Sequence, residues 1–159
     1  MSLTLYTKPR KRGFLRPQFS WLTWQKQTLS WSLWKVLESL SPEDMLGLSR
    51  LIGKMIGRLH KHGIIHGDLT TSNMLLTPYG KVVFVDFGLS ERSKELEPKG
   101  VDLHLMKRTL QSTHYKHAKE CFKAVMSGYA EVVGNEEAKK VTAKIREIEK
   151  RGRYVADRE

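Results

Sequence analysis

The sequence predicts an α+β fold, mainly helical, with short β-hairpin strands arranged around one polar loop. Three observations point to it. Leu48, Leu51, Ile52, Met55, Ile56 and Leu59 recur at helical spacing, the stripe of a helix with one buried face. Ile64-Ile65, Met74-Leu75-Leu76 and Lys81 to Val85 are short apolar or β-branched runs, with Thr77-Pro78-Tyr79-Gly80 as turn chemistry between the last two. Two more helical stripes follow: Ala118, Phe122, Val125, Met126, Tyr129 and Val132, then Val141, Ile145 and Ile148.

At 159 residues the chain is long enough for one domain with a real core and short for two. Its 40% hydrophobic and 28% charged residues describe a soluble globular protein. No stretch approaches the ~20 apolar residues of a membrane span and no secretory signal opens the chain, so no membrane partner is expected. The single cysteine, Cys121, forms no internal disulfide, which points to a reducing compartment. Beside Phe122 on an apolar helix side, it reads as a small core residue. A net charge of +11 suits an anionic partner such as tRNA, although solubility accounts for part of it.

Residues 1–40 read as a basic, tryptophan-rich leader, expected to be poorly ordered. Up to residue 37 there is no Asp or Glu, while Lys8, Arg10, Lys11, Arg12, Arg16, Lys26, Lys35 and all four tryptophans (Trp21, Trp24, Trp31 and Trp34) lie here. Basic residues interleaved with aromatics bind single-stranded nucleic acid or sit at a membrane surface. The apolar spacing fits no single face, so a leader of incidental composition is the plainer reading.

Ser41-Pro42-Glu43-Asp44 then starts the first helix, with Ser as N-cap, Pro at the first helical position and acids in the first turn. Gly63 ends it. His60 and His62 fall at that end, where solvated or dipole-satisfying roles are expected.

The segment from Ile64 to Ser90 carries the chemistry. His66-x-Asp68, with Asn73 after four further residues, is the spacing of a protein-kinase catalytic loop, and Asp86-Phe87-Gly88 is the triplet that holds magnesium on nucleotide phosphates. Six residue types at fixed offsets recur by chance on the order of 10⁻⁸ per start position, at average usage of about one in twenty. Mg²⁺ prefers oxygen ligands, usually one or two carboxylates plus substrate phosphates and waters. Asp86 supplies a carboxylate and Asn73 a neutral carbonyl oxygen, leaving Asp68 to accept a proton or orient a water. The fold expected for residues 41–153 is therefore a protein-kinase-like C-lobe, followed by a tail over 154–159.

Several departures from the usual pattern carry meaning. Gly67 stands where an arginine answers a phosphorylated activation loop, so phosphorylation-gated control is not expected. Thr70 stands where conventional kinases have a lysine near the γ-phosphate, which fits an ATPase or slow kinase. Neither a Gly-x-Gly-x-x-Gly loop nor a Val-Ala-x-Lys strand precedes Ser41, and there is no room there for a five-stranded sheet, so the N-lobe is expected to be absent. After Gly88 only Leu89 to Gly100 precede the next helix, expected from Val101 to about Gln111, and no Ala-Pro-Glu triplet ends that stretch. Helices from Tyr115 to Val133 and from Asn135 onward complete the chain.

HGDLTTSNMLL, VDFGLS and GVDLHLMKRTLQSTH resemble the PRPK family of small atypical kinases, the kinase subunits of KEOPS (EKC) complexes, over roughly Ser41 to Arg153. The resemblance implies an atypical serine/threonine kinase and ATPase that uses ATP and Mg²⁺ and supports threonylcarbamoyladenosine modification of tRNA. It implies a Kae-type transferase subunit and other KEOPS subunits as partners, with tRNA a further one, and a cytoplasmic and nuclear location. Residue by residue, it makes Asp68 the catalytic group, Asn73 and Asp86 the nucleotide and metal ligands, and His66 a structural histidine. Asp102 matches a buried helix aspartate that holds the catalytic-loop backbone; an acid capping a helix N-terminus is equally compatible. Arg151 and Arg153 match an Arg-Gly-Arg tail reaching toward tRNA or the active site, and a solvated basic helix end serves as well. A catalytically impaired C-lobe that docks a transferase partner or tRNA is the alternative function.

Overall fold

The computed structural model describes residues 31–33, 36, 39–77, 79–113 and 115–156. Trp21, Trp24, Trp34 and the basic residues up to Lys26 lie outside the described residues, and with them most of the expected leader. Of the described residues in that segment, β1 (Trp31–Ser32) pairs with a strand of the catalytic segment, and Leu33 is fully buried in the core.

Helix α1 (Pro42–Lys61) begins as the sequence requires, with Ser41 Oγ accepting from the Asp44 N–H at 3.2 Å. A side-chain oxygen at this position satisfies one of the four donors that a helix start leaves unpaired. Met45, Leu48, Ile52, Ile56 and Leu59 form its buried stripe.

Among the described residues there are five short strands, of which the second, third and fourth come from the β-branched and apolar runs. β2 (Ile64–Ile65) pairs antiparallel with β5 (Glu91–Arg92), and β3 (Met74–Leu76) with β4 (Val82–Phe84). The three-stranded sheet has the order β1-β3-β4, in which Trp31 faces Leu76 and Met74 faces Phe84. A single turn of 3₁₀ helix, Thr71–Asn73, leads into β3.

Helix α2 (Leu96–Thr113) starts more than a turn before the expected Val101. Pro98 and Gly100 are breakers on paper only. Pro98 sits in the first turn, where a missing N–H costs no intrahelical bond. Gly100 faces α4, where a Cβ would lie 2.7 Å from Lys144 Cγ.

Helix α3 (Ala118–Val133) begins after a turn at Tyr115–His117, later than the expected Tyr115, and Tyr115 is exposed. Helix α4 (Asn135–Ala156) continues through Arg151-Gly152-Arg153, so a tail beginning at Tyr154 is helical as far as Ala156.

The core lies between α1 and α3, with α2 and the small sheet closing it. Helices α1 and α3 approach backbone to backbone. A Cβ on Gly53 would lie 1.9 Å from Val125 O, and one on Gly128 would lie 1.9 Å from Arg50 O. Cys121 is fully buried on this face, as expected of a core residue, and burial raises its thiol pKa.

Candidate active site

The loop that carries Asp68 is suspended from α2 by one carboxylate. Asp102, 1% exposed, accepts the His66 N–H on Oδ2 at 2.8 Å and the Gly67 N–H on Oδ1 at 2.9 Å. It lies in the second turn of α2, past the first turn, so of the two readings of this residue the loop-holding one is observed. Two consecutive backbone amides, one buried and one half-buried, are thereby paired.

Asp102 Oδ2 also meets His60 Nε2 at 3.2 Å, and His60 Nδ1 meets the Tyr129 hydroxyl at 3.0 Å. Burial, with the carboxylates of Glu137 and Asp102 adding to it, pushes the Tyr129 phenol above its usual range. The phenol stays protonated and serves as donor to Nδ1, while Nε2–H donates to the acceptor-only carboxylate. This corrects the expectation for His60: it is 3% exposed and part of a buried chain running α3–α1–α2–loop, rather than a solvated residue at a helix end. The signal was present in its position, four residues after Ile56 on the apolar stripe.

His66 is fully buried and structural, as expected. Its Nδ1 accepts the Asp68 N–H at 3.3 Å and its Nε2–H donates to Val85 O at 3.0 Å, the arrangement of the neutral Nε2–H tautomer. The Phe87 ring lies against it, with centroids 4.6 Å apart. One imidazole thus ties the backbone of Asp68 to the residue before Asp86.

Two of the three predicted chemical residues, Asp68 and Asn73, are hydrogen-bonded to each other within this frame. The Asn73 amide nitrogen donates to Asp68 Oδ2 at 2.8 Å and to Asp68 O at 2.9 Å. Because both partners are acceptors, the amide orientation is fixed and Asn73 Oδ1 is left as an available ligand oxygen. The Val85 N–H donates to Asn73 O at 3.0 Å, which extends the β3–β4 ladder by one step and puts the residue before Asp86 opposite Asn73. Asp86 is exposed and has φ of 60°. That left-handed conformation costs a residue with a side chain roughly 1–2 kcal/mol, least for Asp and Asn. It is held by the loop on either side, and Asp86 Oδ1 accepts a long bond from the Gly88 N–H at 3.4 Å.

Gly67 has a reason beyond the loss of an arginine. Its φ is +83°, and a Cβ there would lie 2.2 Å from Leu89 O. The stretch after Asp86-Phe87-Gly88 packs directly on the catalytic loop, so a side chain at position 67 would displace one or the other.

Among the described residues there is no group of three or more His, Cys, Asp or Glu side chains able to hold a metal by themselves. The donor set at Asn73 and Asp86 is one amide oxygen and one carboxylate, both hard. It fits Mg²⁺ carried on phosphates, an ion that takes few protein ligands, and does not fit a cation needing a full protein cage.

Arg151 is away from this loop in the contacts it makes: it pairs with Glu97 on α2 and lies 3.9 Å from Glu147. The Arg151 guanidinium, with Lys144 beside it, holds the Glu97 carboxyl below its usual range. The side chain of Arg153 is outside the described residues. No helix among the described residues is long and apolar enough to cross a membrane.

A family model described as protein tyrosine and serine/threonine kinase matches residues 14–124, and so reaches well into the segment read as a leader. The chain is 52% identical over 120 residues to a protein of Pyrococcus abyssi named KEOPS complex subunit Bud32, covering 76% of this chain and 54% of that protein. It is 46% identical over 103 residues to the EKC/KEOPS complex subunit BUD32 of Yarrowia lipolytica, covering 65% and 41%. A probable bifunctional tRNA threonylcarbamoyladenosine biosynthesis protein of Methanothermobacter thermautotrophicus is 53% identical over 103 residues, 65% of this chain and 18% of that protein. The chain spans about half the length of the first of these relatives and less of the others.

Proposed function

The chain belongs to the protein tyrosine and serine/threonine kinase family, and from that premise we propose that it serves a KEOPS complex as an atypical serine/threonine kinase or ATPase, supporting threonylcarbamoyladenosine modification of tRNA. The observation that supports the nucleotide chemistry is the Asn73–Asp68 side-chain hydrogen bond, with the residue before Asp86 bonded to the Asn73 backbone. The names of relatives near 50% identity support the complex and the tRNA pathway.

In this reading Asn73 Oδ1 and the Asp86 carboxylate hold Mg²⁺ on the phosphates of ATP. The ion, when bound, neutralises charge on the transferring phosphoryl group. Asn73 has a second task, since its Nδ2–H₂ group fixes the Asp68 carboxylate through Oδ2. Asp68 Oδ1 is then the oxygen that accepts a proton from an attacking hydroxyl or aligns a water. His66 holds the Asp68 backbone, and Asp102 holds the His66-Gly67 backbone, so neither needs to move as the reaction proceeds. Thr70 supplies no positive charge toward the γ-phosphate, which fits slow transfer or hydrolysis.

Titration calorimetry with ATP tests the reading. Saturable heat that requires Mg²⁺ is the expected result. Absence of heat and of any thermal shift would instead favour a C-lobe that docks a transferase subunit or tRNA.

A further inference from the structure

The charges of α4 are sorted by direction. Glu137 accepts from Lys99 at 2.8 Å and Glu149 from Lys107 at 2.6 Å, both across to α2, while Glu147 pairs with Lys144 and Arg151 and Glu136 with Lys139. On α3, Glu131 is taken by Arg50 and Lys54 of α1. Among the described residues Glu120 is the only carboxylate of the two helices without an ion pair. The cations divide: Lys139, Lys144 and Arg151 are held in ion pairs, and others are not. Lys119 and Lys123 on α3, and Arg146 and Lys150 on α4, are exposed and form no ion pair among the described residues.

Helical spacing aligns these four. Positions 119, 123, 126 and 130 advance by three or four residues along one side of α3, as do 139, 143, 146 and 150 along α4. The chain reverses at Gly134, so the two stripes run side by side. Between them lies an open groove of about 490 Å³, lined among others by Met126, Ala130, Lys139, Thr142, Ala143 and Arg146. Its floor is small and uncharged; at its rim Glu136 is paired with Lys139, and Arg146 is the lining cation left unpaired among the described residues. Large aromatic anchors, which protein interfaces favour, do not line it.

We propose that this α3–α4 face binds the phosphate backbone of RNA, with Lys119, Lys123, Arg146 and Lys150 as the phosphate-facing cations. Arg151 is engaged by Glu97, so it is the poorer candidate for the same task. The choice of RNA as the polyanion rests on the tRNA reading above; the sorting of charge does not.

Fluorescence anisotropy of a labelled tRNA transcript with the full chain, over a salt series, tests the site. The double variant Lys123→Glu/Arg146→Glu is expected to weaken binding about tenfold or more near 0.1 M salt and to lower the slope of log K against log salt by roughly 1.4–1.8, two phosphate contacts. Lys61→Glu/Arg92→Glu changes the net charge equally and is expected to leave most of the affinity in place. Asp86→Ala is expected to retain RNA affinity, so loss of the nucleotide chemistry and loss of this site are told apart. Equal affinities for the two double variants would overturn the proposal. So would failure of the wild-type chain to bind tRNA while it binds polyglutamate, which would point to an acidic protein instead.

Discussion

Asp68→Ala is expected to bind Mg-ATP as the wild type does and to lose about 10²–10⁴ in turnover, the usual contribution of a positioned acid–base group. Asp86→Ala is expected to lose Mg-dependent binding itself. The split follows from what each carboxylate touches. Asp68 is fixed by the Asn73 amide and by the His66 ring through its own backbone, so removing its side chain leaves the loop hung from Asp102. Among the described residues Asp86 makes only a long bond to the Gly88 N–H, and it is exposed, which leaves most of its carboxylate open to a ligand. Phosphate release under saturating Mg-ATP, measured beside calorimetric binding, separates the two. Equal loss of binding in both variants would contradict the division of roles.

Asp102→Ala is expected to destabilise the chain by about 3–5 kcal/mol, a large part of the 5–15 kcal/mol that holds a typical domain together. Three groups lose their acceptor at once: the His66 N–H, the Gly67 N–H and His60 Nε2–H. Each buried donor left unpaired costs about 1–3 kcal/mol, and the chain through His60 to Tyr129 loses its anchor on α2. Urea unfolding of Asp102→Ala and Asp102→Asn reads this directly. The asparagine variant keeps one acceptor oxygen and is expected to fall between alanine and wild type. A midpoint for the alanine variant within experimental scatter of the wild type would show that the loop does not hang from this carboxylate.

How far such features could be read from the sequence depended on whether their partners were near in the chain. His66, Asp68, Asn73 and Asp86 were legible because the chemistry fixes their offsets within one short segment. The start of α1 was legible because its cap, Ser41, sits three residues from the amide it serves. The partnership of His60 and Tyr129 was not, because the two are 69 residues apart and a histidine near a helix end has an equally good life in water. Asp102 stayed open between two roles until the start of α2 was known. That start was itself masked by Pro98 and Gly100, whose local preferences are overridden by first-turn placement and by packing on Lys144. β1 is two residues long and pairs with a strand far along the chain, so no periodicity announces it.

The central claim is that Asn73 and Asp86 would hold one nucleotide-bound divalent ion, with Asp68 close beside it. Mn²⁺ substituted for Mg²⁺ on ATP broadens the amide NMR signals of nearby residues and leaves distant ones sharp. The account predicts that signals of Asp68, Asn73 and Asp86 vanish together while those of Val141 and Ile145 on α4 persist. Persistence of the loop signals, or broadening centred on another part of the chain, would contradict it.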